Sequence, residues 1–167
     1  MTALEPVILV RELPPVCSRQ RRHLPSIREL VSASPHPREA AILAYLAQGV
    51  DCGIYNDPGL LYDVLQPGKK IDFSALPEAA PGGGTIYPHL IMTDGVWVWP
   101  GALLYYVAVY HLRLPERFLQ HAEEQQWKVD PSDLKLGDLS WDAWDAVPAE
   151  VTSLAASSST SKSLSEG

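Results

Sequence analysis

The stretch that decides the fold is IMTDGVWVWPGALLYYVAVYHL, residues 91–112. Two apolar runs flank Asp94 and Gly95, the pair of residues that most strongly favours a tight β-hairpin. A two-residue turn would place Thr93 opposite Val96, and both faces of the hairpin would then be apolar. Such a hairpin belongs in the middle of a sheet that is covered on both sides, or it leaves one face for a partner. One predicted face carries Leu90, Met92, Trp97 and Trp99, and the other carries Ile91, Thr93, Val96 and Val98.

The same stretch does not have the pattern of a membrane span. It holds no charged residue from Gly95 to Leu112, but Pro100 ends the strand and suits the start of a helix. The apolar helical part is about 10–12 residues long, whereas a span needs about 20. A second helix is predicted after Pro115. We therefore expect a strand, a helix and a further helix, and no membrane contact.

Signals in the rest of the chain complete an α+β fold. Ser26 and Glu29 have the spacing of a capping box, which predicts a helical turn. The clearest helix has Pro37 in its first turn and Gly49 as its stop. We expect a mostly antiparallel sheet of about five strands, with three to four helices packed on it. Further strands are predicted at 5–13, 50–54 and 61–65, the last two forming a hairpin around the turn 56–59.

Length and composition predict one domain with a tail. Residues 1–150 are expected to form a single domain, because a chain of 167 residues is long enough to close one core. Residues 151–167 are expected to be a disordered Ser-rich tail, since seven of the 15 residues from Ser153 to Gly167 are Ser. The N-terminus lacks the basic start of a signal peptide, and Cys17 and Cys52 do not have the spacing of a disulfide framework. The expected location is therefore the cytoplasm.

The sequence contains no recognisable cofactor or metal motif. The Gly-rich residues 80–88 precede a predicted strand rather than a helix, so they do not form a phosphate-binding loop. The five His are too scattered to indicate a metal site, and we expect neither a cofactor nor a metal. An enzyme would have to use Tyr87, His89, Asp94 and His111, with residues 80–85 as a lid. For Asp94 the simpler interpretation is a turn residue.

Charge is unevenly distributed along the chain. Six Arg and two Glu between Arg11 and Arg38 give +4, whereas nine acidic and three basic residues between Glu116 and Glu150 give −6. An acidic surface repels nucleic acid and attracts basic proteins, and Trp beside carboxylates is typical of a binding hot spot. We therefore predict a protein partner with a basic surface, and no nucleic acid. The predicted partner-binding residues are Glu123, Glu124, Asp138, Trp141, Asp142, Trp144 and Asp145.

Residues 93–121, TDGVWVWPGALLYYVAVYHLRLPERFLQH, resemble a segment of small bacterial proteins. Some of these look like immunity proteins of polymorphic-toxin systems. The shared pattern is TDG, then W-WP, YY, a Tyr-His pair, and LP before a second helix. The resemblance implies a non-enzymatic inhibitor that docks on a toxin domain and has no catalytic residue. Two alternatives stay open: a small enzyme with a pocket beside the Trp hairpin, and a structural or scaffold subunit.

Overall fold

The computed structural model describes residues 2–13, 23–54, 58–72, 86–130 and 139–140, which form an α+β fold. The strands are β1 (Thr2–Ala3), β2 (Glu5–Pro6), β3 (Val50–Ile54), β4 (Leu90–Thr93), β5 (Trp97–Pro100) and β6 (Leu139–Ser140). The helices are α1 (Glu39–Ala47), α2 (Ala102–Tyr110) and α3 (Glu116–Glu124).

The main sheet is mixed and has the strand order β2-β5-β4-β3. β3, β4 and β5 are antiparallel neighbours, whereas β2 runs parallel to β5 with Glu5 opposite Trp97. β1 and β6 form a separate parallel pair. The α+β class is confirmed, but the prediction of a mostly antiparallel sheet of about five strands is met only in part: across the described ranges the main sheet has four strands, and β2 is parallel to its neighbour. Parallel pairing joins segments far apart in the chain, so no local turn signal announces it.

The predicted hairpin between 50–54 and 61–65 is also wrong. β3 pairs with β4 instead, with Val50 opposite Thr93. The partner of β3 is therefore a strand some 40 residues away rather than its neighbour in sequence. The predicted turn 56–59 lies partly outside the described residues.

Residues 61–65 do not form a strand because their backbone is held in turns. Pro58–Leu61 is a short 3₁₀ helix. Asp63 Oδ1 then accepts hydrogen bonds from the backbone N–H groups of Leu65 at 2.7 Å and Gln66 at 3.1 Å. An Asp side chain that bonds to the backbone just after it stabilises a turn at the expense of strand pairing.

The hairpin of β4 and β5 is confirmed, but its turn is longer than predicted. Thr93 pairs with Val98, so four residues separate the paired positions rather than two. Asp94 Oδ1 accepts from the backbone N–H groups of Val96 at 2.9 Å and Trp97 at 2.7 Å. Gly95 has a φ of 98°, which glycine adopts without steric cost. The side chain of Asp94 thus stabilises a wider turn than residue type alone indicates.

The change of register leaves the two faces as predicted, because side chains alternate with a period of two and the shift is two residues. Trp97 and Trp99 are buried in the main core with the three helices. Ile91 and Val98 are buried on the opposite face with Leu4. The strongly aromatic face of the hairpin is therefore framework, and Trp99 Nε1 donates to the backbone carbonyl of Leu46 at 3.2 Å.

The helical predictions are largely confirmed. Ser26 and Glu29 form the capping box of the 3₁₀ helix Ile27–Leu30. Glu12, which the capping pattern does not reveal, also accepts from Ser26 Oγ at 2.5 Å and from the backbone N–H of Ile27 at 2.9 Å. The helix predicted around Pro37 begins two residues later, as α1.

Gly49 lies just after α1, as predicted, but for a different physical reason. Its backbone does not have the left-handed φ that makes glycine a common helix stop. Instead, a Cβ at this position would lie 2.5 Å from Trp99 Cζ2 and 3.0 Å from Met92 Cβ. Glycine is needed here because the chain just after α1 lies directly against the indole of Trp99.

The predicted C-terminal tail is not tested, because residues 151–167 lie outside the described residues. The backbone of Ser140 itself belongs to β6. The single domain at 1–150 also stays a prediction.

Candidate binding site

Helix α3 has one buried and one exposed face. Its buried side chains, Phe118, Leu119 and Ala122, join the main core. The carboxylates of Glu123 and Glu124 lie on the exposed side. The amphipathic pattern of α3 therefore places two of the predicted partner-binding residues at the surface.

Glu123 is paired with a residue that the sequence does not connect to it. Arg38, the N-cap of α1, lies 85 positions earlier in the chain, and its Nη1 is 2.5 Å from Glu123 Oε1. The side chains are 52% and 57% exposed, so water screens the pair. An exposed ion pair of this kind contributes about 0–1 kcal/mol to stability. Glu123 is accessible, but its charge is already balanced.

Trp127 completes the same surface region. The guanidinium carbon of Arg38 lies 6.0 Å from the centroid of its indole, within the range of a cation–π contact. The ring of Tyr45 packs edge-on against the indole at 6.4 Å. Trp127 is half-buried, so part of the indole remains at the surface.

The backbone around Trp127 is strained and firmly held. Gln126 and Trp127 both have a φ of 57°, a left-handed conformation that is uncommon outside glycine. The side-chain amide of Gln48, the C-cap residue of α1, holds this segment by two hydrogen bonds. Its Nε2 donates to the carbonyl of Trp127 at 3.0 Å, and its Oε1 accepts from the N–H of Val129 at 3.1 Å. Strained backbone persists only where surrounding contacts hold it, and here α1 supplies them.

The other predicted partner-binding residues lie outside the described part of the chain. The same holds for five of the nine acidic residues between 116 and 150, so the described surface carries only part of the predicted acidic field. The predicted partner-binding residues outside the described part are Asp138, Trp141, Asp142, Trp144 and Asp145.

The four residues suggested for an enzyme belong to separate contacts. Tyr87 and His89 stack on each other, with ring centroids 5.6 Å apart, and Tyr87 is 51% exposed. His111 ends α2 with a left-handed φ of 53°, and its Nδ1 lies 2.8 Å from Glu39 Oε1. His111 thus joins the end of α2 to the start of α1.

Asp94 makes a third, independent network. Its side chain is 2% exposed and joins the hairpin turn to two helices. Tyr45 of α1 donates its hydroxyl to Asp94 Oδ2 at 2.5 Å, and His121 Nε2 of α3 lies 3.2 Å from the same oxygen. Burial, followed by the bond to Asp94, raises the pKa of Tyr45 far above its usual range, so Tyr45 remains a donor. The interpretation of Asp94 as structural agrees with this network, but sequence spacing did not reveal Tyr45 and His121 as its partners.

A second buried carboxylate ties the loop after β3 to α2. Asp63 is 2% exposed, and its Oδ2 accepts from the hydroxyls of Tyr105 and Tyr110, each at 2.6 Å. Burial by itself raises the pKa of Asp63, but the bonds from Tyr105, Tyr110 and two backbone amides outweigh it and lower that pKa. Tyr106 donates to the carbonyl of Tyr62, and burial raises the pKa of Tyr106 to about 12. These tyrosines are hydrogen-bond donors of the framework.

Neither a metal-binding group nor a membrane-spanning helix occurs among the described residues. In them no three His, Cys, Asp or Glu side chains come close enough to hold a metal ion. None of the described helices is both long and apolar enough to cross a bilayer. Cys52 is a free, half-buried thiol, and burial raises its pKa to about 12.

Comparison with known proteins leaves the family of this chain open. No protein-family model, curated protein or solved structure matches it. The resemblance of residues 93–121 to immunity proteins therefore stays a prediction.

Proposed function

We propose that this protein is a non-enzymatic binding module that docks on a basic protein surface in the cytoplasm. In the preferred form of the proposal it is an immunity protein that inhibits a toxin domain. The supporting observation is the exposed side of α3, where Glu123 and Glu124 face solvent and Glu123 shares the contact of Arg38 with the half-buried indole of Trp127. Carboxylates around an aromatic side chain are suited to steer and then hold a basic partner.

The state of the other ionisable groups also favours binding over catalysis. Asp94, His111 and Asp63 each bond to groups on other elements, and each bond fastens one element of the fold to another. These three groups therefore hold the scaffold together, and Asp94 joins it to α3 through His121. The alternative of an enzyme using Tyr87, His89, Asp94 and His111 loses support, because these residues lie in three separate networks.

The decisive experiment uses the toxin domain itself. The C-terminal domain of a large secreted protein encoded directly upstream is expressed with and without this chain, and growth of the host is measured. Rescue of growth supports an inhibitor, and rescue by a chain that does not bind the toxin domain would contradict docking.

Association kinetics then test the acidic surface. We expect the association rate to fall as salt is added, because exposed charges are screened. Glu124→Gln should slow association, whereas Asp51→Asn, an equal change of charge at an exposed position on β3, should have a smaller effect. A rate that ignores salt, or equal effects of the two variants, would show that α3 does not steer the partner.

A further inference from the structure

Arg38, Glu123 and Trp127 form a compact arrangement at the surface between α1 and α3. The guanidinium of Arg38 pairs with the Glu123 carboxylate and lies over the Trp127 indole. We propose that Glu123 and Trp127 are a binding site for an arginine side chain of the partner, and that the chain's own Arg38 fills this site until the partner arrives. The inference rests on the proposed function, because it assigns a specific contact to the basic partner.

The chemistry of the site suits a guanidinium in particular. A carboxylate accepts charge-assisted hydrogen bonds from its planar N–H groups, and an indole face attracts its delocalised charge. An ammonium group, which is compact and strongly hydrated, gains less from the aromatic face. The site should therefore prefer arginine to lysine.

The indole is positioned before any partner binds. Tyr45 packs edge-on against Trp127, and Gln48 bonds to the carbonyl of Trp127 and the N–H of Val129. Gln126 and Trp127 are successive left-handed residues, and Trp127 donates its backbone N–H to the carbonyl of Ala122 in α3. A preorganised site loses little conformational freedom when it binds a ligand.

Arg38 is held weakly enough to be replaced. Its side chain is 52% exposed, and an exposed ion pair contributes little. It is also a cation at the N-terminus of α1, where the helix dipole disfavours positive charge. When a partner arginine replaces Arg38, Glu123 remains paired and Arg38 becomes free in water. Arg38 thus acts as an autoinhibitory contact that raises the threshold for binding.

The test compares Arg38→Gln with Arg28→Gln, which removes the same charge at another exposed position. Hexa-arginine and hexa-lysine peptides are titrated into each protein, and the indole N–H resonance of Trp127 is followed by NMR. We expect Arg38→Gln to bind hexa-arginine about three- to tenfold more tightly than Arg28→Gln, since the emptied site no longer has an internal competitor. Hexa-lysine should show a smaller gain.

Adding Glu123→Gln to Arg38→Gln should abolish the gain, and adding Glu124→Gln should leave most of it. Equal binding by Arg38→Gln and Arg28→Gln would overturn the proposal, as would equal gains with the two peptides. Either result would leave the toxin-inhibitor proposal standing, because that is measured by growth rescue. Conversely, a gain for Arg38→Gln without growth rescue would establish an arginine site on a protein whose partner is not a toxin.

Discussion

At the scale of single residues, buried carboxylates hold this protein together. Asp63 accepts four hydrogen bonds, two from tyrosine hydroxyls of α2 and two from its own turn. Asp94 is equally buried and equally well bonded. Neither role is apparent from the sequence, because the tyrosines that donate to these carboxylates lie 42 to 49 residues away in the chain.

Replacing Asp63 with Asn should destabilise the protein by about 1–3 kcal/mol, because Asn has one acceptor oxygen where Asp has two. Its NH₂ group must then face either the two tyrosine hydroxyls or the two backbone N–H groups. Asp51→Asn is the control, since Asp51 is exposed and its removal leaves no buried group unpaired. Urea denaturation measures both changes. Equal stabilities of Asp63→Asn and the parent protein would show that the tyrosine bonds contribute nothing.

The same residue makes stability depend on acid. The pKa of Asp63 is lower in the folded protein than in the unfolded chain, so its contribution is fully present above the unfolded value of about 4 and is lost as pH falls through the folded value. The stability difference between the parent and Asp63→Asn should therefore shrink below pH of about 4. A difference that is constant from neutral pH to pH 3 or below would contradict the lowered pKa.

Replacing Gly49 should have a steric effect rather than a conformational one. Gly49→Ala should cost about 1–3 kcal/mol, because the new Cβ presses on Trp99 and overpacks the core. Gly68→Asn is the control: Gly68 has a φ of 85° and open space around it, and Asn tolerates this conformation. Thermal denaturation should show a clear loss only for Gly49→Ala. In a protein that already carries Trp99→Phe, the smaller ring leaves more room for the new Cβ. Gly49→Ala should therefore cost less stability there than in the parent protein.

At the scale of secondary-structure elements, the hairpin turn is a junction. Asp94 at the turn between β4 and β5 bonds to α1 through Tyr45 and contacts α3 through His121. These two contacts connect the turn to α1 and α3. This junction explains why the turn is wider than Asp-Gly alone predicts.

The junction should appear as an energetic coupling between elements. Asp94→Asn and Tyr45→Phe should be non-additive by about 0.5–3 kcal/mol, because both remove the same hydrogen bond. Asp94→Asn and Tyr105→Phe should be additive, since Tyr105 bonds to Asp63 instead. A double-mutant cycle by urea denaturation measures both couplings. Additivity in the first pair would mean that the turn and α1 are not joined through this bond.

At the scale of the whole molecule, one core joins β4 and β5 to helices α1, α2 and α3. The main cluster of buried side chains runs from Val7, next to β2, to Ala122 in α3. A core shared in this way predicts that the elements unfold together.

We expect a single cooperative transition in urea, with tryptophan fluorescence and far-UV circular dichroism coinciding. Fluorescence reports on the five tryptophans, which include the buried Trp97 and Trp99, whereas circular dichroism reports on the helices. Separate transitions would divide the chain into independent units and would contradict the single domain predicted for residues 1–150.

The sequence by itself determined the local structure. The capping box at Ser26, the helices α1, α2 and α3, and the two-sided hairpin all follow from residue type and spacing over a few positions. Such signals involve neighbours in the chain, so the same atoms meet whatever the rest of the fold does. The class α+β follows from the sum of these elements.

Only the tertiary structure decided which distant elements meet. The parallel pairing of β2 with β5 and the pairing of β3 with β4 join residues 36 or more positions apart. The bonds of Asp63 to Tyr105, Asp94 to Tyr45 and Glu123 to Arg38 span 42 or more positions. Spacing in the chain carries no information about such contacts, because they depend on how whole elements bury their apolar faces against one another. The same reason explains why Glu123 was predicted as a binding residue from sequence while its neighbours Arg38 and Trp127 were not.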